Sequence, residues 1–372
     1  MTAPPDEMPV LVLQGGGALG AYQAGAFEEL QKAGQCPAWV AGMSIGAINA
    51  AIICGNPGPL RVPRLAAFWE TVSSQLTGRP LIFSAKSRNL FSEMASAMVL
   101  FQGVPGFFRP RFPFAGIGVT GRPRGISYYD TAPLRATLCD LIDFDYLAER
   151  GPRLSIAAVD VETGNFAWFD SARDRIGPDH VMASGALPPG FPAIEIDGRH
   201  YWDGGLVSNT PLQYVLENAG AAALCIFQVD LFPARGALPE DLSEVAEREK
   251  DIRFSSRTRL TTDRFSQLHA IRAAADRLAL KLPEQMADDP DLMVLRQSGP
   301  QGNVTLVHLI HRAEVFESHS KDYDFSRLTM MGHWAAGRAD VCQTFARKAW
   351  QTRGVPPSGL RIFDLGIGSK EI

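Results

Sequence analysis

The sequence predicts an α/β fold: a parallel-rich central sheet flanked by helices, followed by a helical C-terminal extension. Three observations carry that expectation. Between residues 10 and 53 the pattern runs strand, glycine loop, helix, strand, sharp turn, helix, the order of a parallel sheet covered by helices. Further apolar runs recur at residues 154–159, 166–169 and 222–229. After about residue 235 the chain becomes charged and helical in pattern, most clearly over residues 239–280.

Residues 10–13 form a short run of branched apolar side chains and read as a buried strand. Gln14 and three glycines follow. Over residues 18–32, Leu19, Tyr22, Ala26, Phe27 and Leu30 can share one helical face, and Gly34 is placed to end that helix. Residues 38–41 are a second strand that runs into Gly42-Met43-Ser44-Ile45-Gly46. Residues 45–53 read as a buried helix of small apolar residues, stopped by Gly55-Asn56-Pro57-Gly58. Residues 194–202 alternate around Asp197-Gly198, a hairpin signal. Residues 303–310 are a further strand and residues 326–350 a further helix.

Residues 81–118 differ from the rest. Phe83, Phe91, Phe101, Phe107, Phe108, Phe112 and Phe114 sit among Gly, Pro and Arg. The segment reads as an insertion over the sheet. It is either additional core or a lipid-facing lid, the second motivated by aromatics mixed with Arg109 and Arg111. Arg253, Arg257, Arg259 and Arg264 form a basic stretch that reads as a solvated face rather than a phosphate site.

The chain has 372 residues, enough for one large domain or two and for a sizeable core. Hydrophobic residues make up 46% and charged residues 20%, as in a soluble globular enzyme. The net charge of -4 gives no basis for binding nucleic acid. Five scattered cysteines with no C-x-x-C pair point away from a metal centre or a disulfide framework. The first eight residues lack the basic and apolar regions of a secretory signal, and no apolar run of about 18 residues is present to span a bilayer. The expected location is cytoplasmic, with peripheral contact to membranes. The oligomeric state is not encoded in any pattern that the sequence displays.

Two motifs carry chemistry. Gly15-Gly16-Gly17-Ala18-Leu19-Gly20 matches the G-x-G-x-x-G of dinucleotide-binding folds. Such a loop offers bare backbone N–H groups at a helix N-terminus, which stabilise a phosphate or an oxyanion alike. A dinucleotide site requires an acidic residue at the end of the second strand. That strand ends instead in Gly42-Met43-Ser44-Ile45-Gly46, the G-x-S-x-G of a nucleophile turn. The same geometry would also suit Ser44 as a plain helix N-cap.

A serine nucleophile needs a group that takes its proton. His269, His308, His311, His319 and His333 all follow Asp203 and fit the chain order of a Ser-acid-His hydrolase, but none has a setting that singles it out. Asp203 does: it ends an aromatic strand segment and precedes Gly204-Gly205, so its carboxylate is presented on a tight turn. An ordinary turn aspartate would look the same.

Gly15 to Gly20, Gly42 to Gly46 and Asp203-Gly204-Gly205, in that order and together with Ala183-Ser184-Gly185-Ala186-Leu187-Pro188-Pro189, resemble the patatin-like phospholipases. The resemblance covers about residues 9–232. Residues 236–372 look like the C-terminal extension of one bacterial branch of that family, with no role assigned. The resemblance implies a three-layer sandwich and a Ser-Asp dyad, with Ser44 as nucleophile and Asp203 as base. It implies an oxyanion hole from the amides of Gly15, Gly16 and Gly17, with Gly20, Gly42, Gly46, Gly204 and Gly205 as motif glycines. It implies no metal and no cofactor. The substrate class it implies is an acyl lipid, cleaved by phospholipase A, lysophospholipase or lipid esterase action. Leu19 departs from the Arg or Lys that many members carry there. The rival readings are a lipid-binding or regulatory protein with a vestigial site, and a nucleotide-binding domain built on the glycine loop.

Overall fold

The computed structural model describes residues 7–78, 85–111, 126–256, 258–283, 286, 288–297, 302–312, 320–354, 356 and 359–364. The first crossover is β1 (Met8–Leu13), α1 (Gly20–Lys32), β2 (Trp39–Gly42) and α2 (Ile45–Cys54). Next come α3 (Gly58–Val72), α4 (Ala85–Gln102), the short pair β3 (Arg109–Pro110) and β4 (Tyr129–Asp130), α5 (Ala132–Leu141) and α6 (Phe144–Glu149). Then follow β5 (Arg153–Asp160), β6 (Phe166–Asp170), α7 (Pro178–Ser184), the hairpin β7 (Ile194–Ile196) and β8 (Arg199–Asp203), α8 (Leu212–Asn218) and β9 (Leu224–Asp230). The remainder holds α9 (Leu242–Phe254), α10 (Thr258–Ala279), α11 (Pro290–Gln297), β10 (Val304–Ile310), α12 (Arg327–Ala346), α13 (Lys348–Gln351) and β11 (Leu360–Asp364).

Among the described residues, nine strands form one sheet in the order β11-β10-β9-β1-β2-β5-β8-β7, with β6 also paired to β5. From β11 to β5 every pairing is parallel; β6, β8 and β7 join antiparallel. This is the parallel-rich α/β sheet that the strand–helix alternation predicts. β1 lies inside it. Its Leu11 and Leu13 enter one core cluster and Val10 and Val12 the other, so the strand is apolar on both faces. The hairpin turns where expected, with Asp197 and Gly198 both at positive φ, as a two-residue primed turn requires.

Residues past 235 share this sheet. β10 lies against β9 and β11 against β10, and α12 packs backbone to backbone on α1. A side chain on Gly25 would collide with the Trp334 carbonyl, and one on Gly337 with that of Tyr22. The charged stretch at 239–280 divides into α9 and α10, and the expected helix at 326–350 begins at the N-cap Ser326 and breaks after Ala346.

The aromatic insertion divides in two. Phe107 and Phe108 are buried against Phe191 and Tyr129, whereas Phe101 is 80% exposed. Arg109 pairs with Asp130, and Arg111 donates to Ser127 and to the Tyr129 carbonyl. Both arginines thus have partners within the chain, and Arg109 remains largely exposed. Phe83, Phe112 and Phe114 lie outside the described residues.

Candidate active site

Sheet register brings Ser44 and Asp203 together. Gly42 of β2 pairs with Ile156 of β5, and Ala158, two residues further along β5, pairs with Asp203 of β8. Ser44 lies two residues beyond Gly42. Because β6 takes the opposite edge of β5 along this stretch, β2 and β8 follow one another on the same edge, and the hydroxyl and the carboxylate emerge where they meet, at the carboxyl ends of the parallel strands, where α/β sheets place their sites.

Ser44 has φ 54 and ψ -122, a conformation costly for any residue with a side chain, by about 1–3 kcal/mol. Although it is the N-cap of α2, its side chain makes no capping bond. Its hydroxyl instead lies close enough to the Asp203 carboxyl to lower that group's pKa. The plain N-cap alternative does not describe this serine. Its own amide is satisfied by the Ser184 hydroxyl at 3.1 Å. The turn can be this sharp because Gly46 presses onto the Leu13 carbonyl, leaving no room for a Cβ.

Asp203 is 2% exposed. Burial pushes its pKa up from 3.8 to about 6, against the opposing influence of the Ser44 hydroxyl and the hydrogen bond from the Gly205 amide. The Gly205 bond measures 2.7 Å, and the Asp203 amide is tied to the Ala186 carbonyl at 3.0 Å. Gly204 lets this turn close over the Met43 sulfur. The segment from Ala183 to Pro189 therefore braces both groups, Ser44 through Ser184 and Asp203 through Ala186. Sequence reasoning gave that segment no task. Its small residues beside a Pro-Pro pair were the available signal.

Among the described residues, no imidazole acts on the Asp203 carboxyl. His308 bonds to Asp230, His269 to the Gly359 amide, and His311 packs against Tyr22 and His333. His319 lies outside the described residues.

The glycine loop passes beside the nucleophile: a Cβ on Gly15 would stand 3.0 Å from that of Ser44. The Gly15 amide is already committed to the Asn209 carbonyl at 3.2 Å. The N–H groups of Gly16 and Gly17, by contrast, have no acceptor among the described residues. Two buried amides that the sequence did not mark hold the loop. Asn209 donates to the carbonyls of Gly15 and Phe254, both at 3.0 Å. Gln14 donates to Thr210 and Phe254, also at 3.0 Å, and accepts from Leu231 and Phe232. On the far side, Gly17 at φ +54 packs under the Asp322 carbonyl. Leu19 is buried in the core and supplies no cation. Among the described residues no cluster of His, Cys, Asp and Glu is arranged to hold a metal.

Comparison with known proteins places these features in context. No curated protein matches this sequence. Among solved structures, VipD from Legionella pneumophila is similar at 14% identity, over 90% of this chain and 68% of that one, with a TM-score of 0.35. The type III effector ExoU is similar at 15% identity, over 90% of this chain and 54% of that one, with a TM-score of 0.27. In its complex with SpcU from Pseudomonas aeruginosa, the figures are 15%, 91%, 76% and 0.28. The family model described as patatin-like phospholipase matches residues 11–216, and one described as patatin phospholipase matches residues 252–357. The first spans more than half of the chain and contains every motif built up above, so the chain belongs to the patatin-like phospholipases, a family of lipid hydrolases.

Proposed function

We propose that the protein is a serine acyl hydrolase that cleaves ester bonds of acyl lipids through a Ser44–Asp203 dyad and an acyl-enzyme. The observation that carries this reading is the Ser44 side chain, held on a strained turn, making no bond to its own helix and lying close enough to a buried carboxyl to act on its pKa. A carboxylate of ordinary pKa is a weak base toward a hydroxyl. One raised by burial to about 6 is better matched to the task.

In the first step Asp203 takes the Ser44 proton as Oγ bonds to the ester carbonyl carbon. The negative oxygen of the tetrahedral intermediate receives the N–H groups of Gly16 and Gly17. Collapse breaks the carbon–oxygen bond to the leaving alcohol, which departs with the proton from Asp203. Water, deprotonated by the same carboxylate, then attacks the acyl-enzyme and releases the fatty acid and free Ser44. The intact dyad and open glycine amides favour this over a vestigial lipid-binding role.

The test is active-site labelling with a fluorophosphonate probe, alongside turnover of p-nitrophenyl esters of several chain lengths. The wild-type protein should be labelled and should turn over esters. Ser44→Ala should do neither while keeping its circular dichroism spectrum. Labelling that persists in the folded variant overturns the proposal.

A further inference from the structure

α4 is built the wrong way round for a helix on a soluble protein. Its inward face is small and hydroxylic: Ser92, Ala95, Ser96 and Val99 are buried. Its outward face is apolar. Met94 is 61% exposed, Met98 37%, Leu100 52% and Phe101 80%, and Met94, Met98 and Phe101 fall at the i, i+4, i+7 spacing of one stripe. A helix normally turns such a stripe toward the core. Here the hydrogen bonds of the inward face oppose a rotation: Ser92 donates to Asp324 and Ser96 to the Ser320 carbonyl.

The helix that carries this stripe is tied to the rim of the catalytic site by two routes. Ser320 and Asp324 flank the 3-10 turn Lys321–Tyr323, whose Asp322 carbonyl rests on Gly17 of the glycine loop. At the other end, Tyr129 donates its hydroxyl to the Leu100 carbonyl, while the amides of Tyr128 and Tyr129 donate to the carbonyls of Pro189 and Gly190. That is the segment which braces Ser44 and Asp203. Ile126 and Tyr128 are themselves exposed, as are Leu206 and Val207, three and four residues past Asp203.

We propose that the outer face of α4, with the exposed apolar residues at this rim, seats the protein on a lipid aggregate, from which an acyl chain passes to Ser44. The proposal rests on the acyl-lipid reading above and adds the surface that presents the substrate. A lipid surface fits better than a second copy of the chain, because a partner fixed over the rim would bar the substrate's path. The adhesion is apolar rather than ionic: among the described side chains of α4, Glu93 and Gln102 are the exposed polar ones, and the neighbouring Arg109 is paired with Asp130. Zwitterionic vesicles should therefore bind, and salt should not release the protein.

The test is flotation with phosphatidylcholine vesicles at low and high salt, in a Ser44→Ala background so that no lipid is consumed. This protein should float with vesicles at both salt concentrations. Adding Met94→Ser, Met98→Ser and Phe101→Ser should weaken binding by about tenfold or more. With Ser44 restored, the triple variant should hydrolyse p-nitrophenyl acetate within about twofold of wild type and lose about tenfold on vesicular substrate. Vesicle binding unchanged by the triple variant overturns the proposal, as does the absence of binding by the unaltered surface. So does a dimer that the triple variant splits while vesicle binding persists. If the Ser44→Ala protein binds but wild type cleaves no ester, the docking surface stands and the hydrolase reading falls.

Discussion

Two regions meet at the glycine loop, and they are made differently. The strand ends that carry Ser44 and Asp203 hold their groups by neighbouring main chain and short side chains: Ser184, Ala186 and Gly205. The C-terminal extension supports the same loop with charge buried out of water. Lys321, with a fully buried side chain, bonds to Asp251 at 2.8 Å and Glu247 at 3.0 Å. Burial opposes its charge, yet these two carboxylates outweigh burial and raise its pKa. Lys250 meets Asp322, whose carbonyl covers Gly17, and the Phe254 carbonyl takes bonds from both Gln14 and Asn209. The difference teaches that this chain separates reactivity from support. The reactive region is written in short motifs, whereas the support is assembled from residues hundreds of positions away.

That contrast can be broken by substitution. The largest effect is expected at the dyad: Asp203→Asn should lower kcat by about 10³-fold with the fold intact, measured on a soluble ester. Next comes the buried charge of the extension. Lys321→Met strands two carboxylates and should cost about 3 kcal/mol or more in urea unfolding, because breaking a buried pair leaves uncompensated charge. Gly17→Ala should cost about 2 kcal/mol, since it adds a side chain at φ +54 beneath the Asp322 carbonyl, and it should lower kcat as well. If Gly17→Ala leaves both stability and kcat unchanged, the extension does not shape the loop.

A smaller effect follows from the pKa of Asp203. The carboxylate must be ionised to act as base, so kcat/KM should fall as pH drops through about 6. Its stability contribution has the opposite sense. The folded pKa lies above the ordinary 3.8, so this contribution is fully present below about 3.8 and is lost as pH rises through about 6. Asp203→Asn should therefore gain stability relative to wild type above pH 6, visible as a higher Tm. The smallest effect is a control. Arg175 and Asp145 form an ion pair with both side chains more than 70% exposed, and Arg175→Ala should change stability by no more than about 0.5 kcal/mol. Read against Lys321→Met, it measures how far burial, rather than ion pairing as such, makes the extension's charges matter.

Most of the fold was legible where a segment states its own structure. The apolar runs of β1, β2, β5 and β9, the small apolar residues of α2 and the Asp197-Gly198 turn act through neighbours in sequence, and each element formed where its pattern lay. β11 was not legible. Five residues after Gly359 carry too little pattern, and the strand exists because β10 offers an edge. The breaks between α9 and α10 and between α12 and α13 were also hidden, since tertiary packing ends those helices where the helical pattern continues.

The candidate site divides along the same line. By itself the sequence determined which groups could react, because a nucleophile turn and a glycine loop are local backbone shapes that demand particular residues at fixed spacing. Only the tertiary structure decided which groups meet. Strand register set Ser44 level with Asp203, burial set the carboxylate's pKa, the Asn209 carbonyl claimed the Gly15 amide, and the packing of α4 turned its apolar side to solvent. Register, desolvation and competition for hydrogen bonds depend on partners far along the chain, and no local pattern records them.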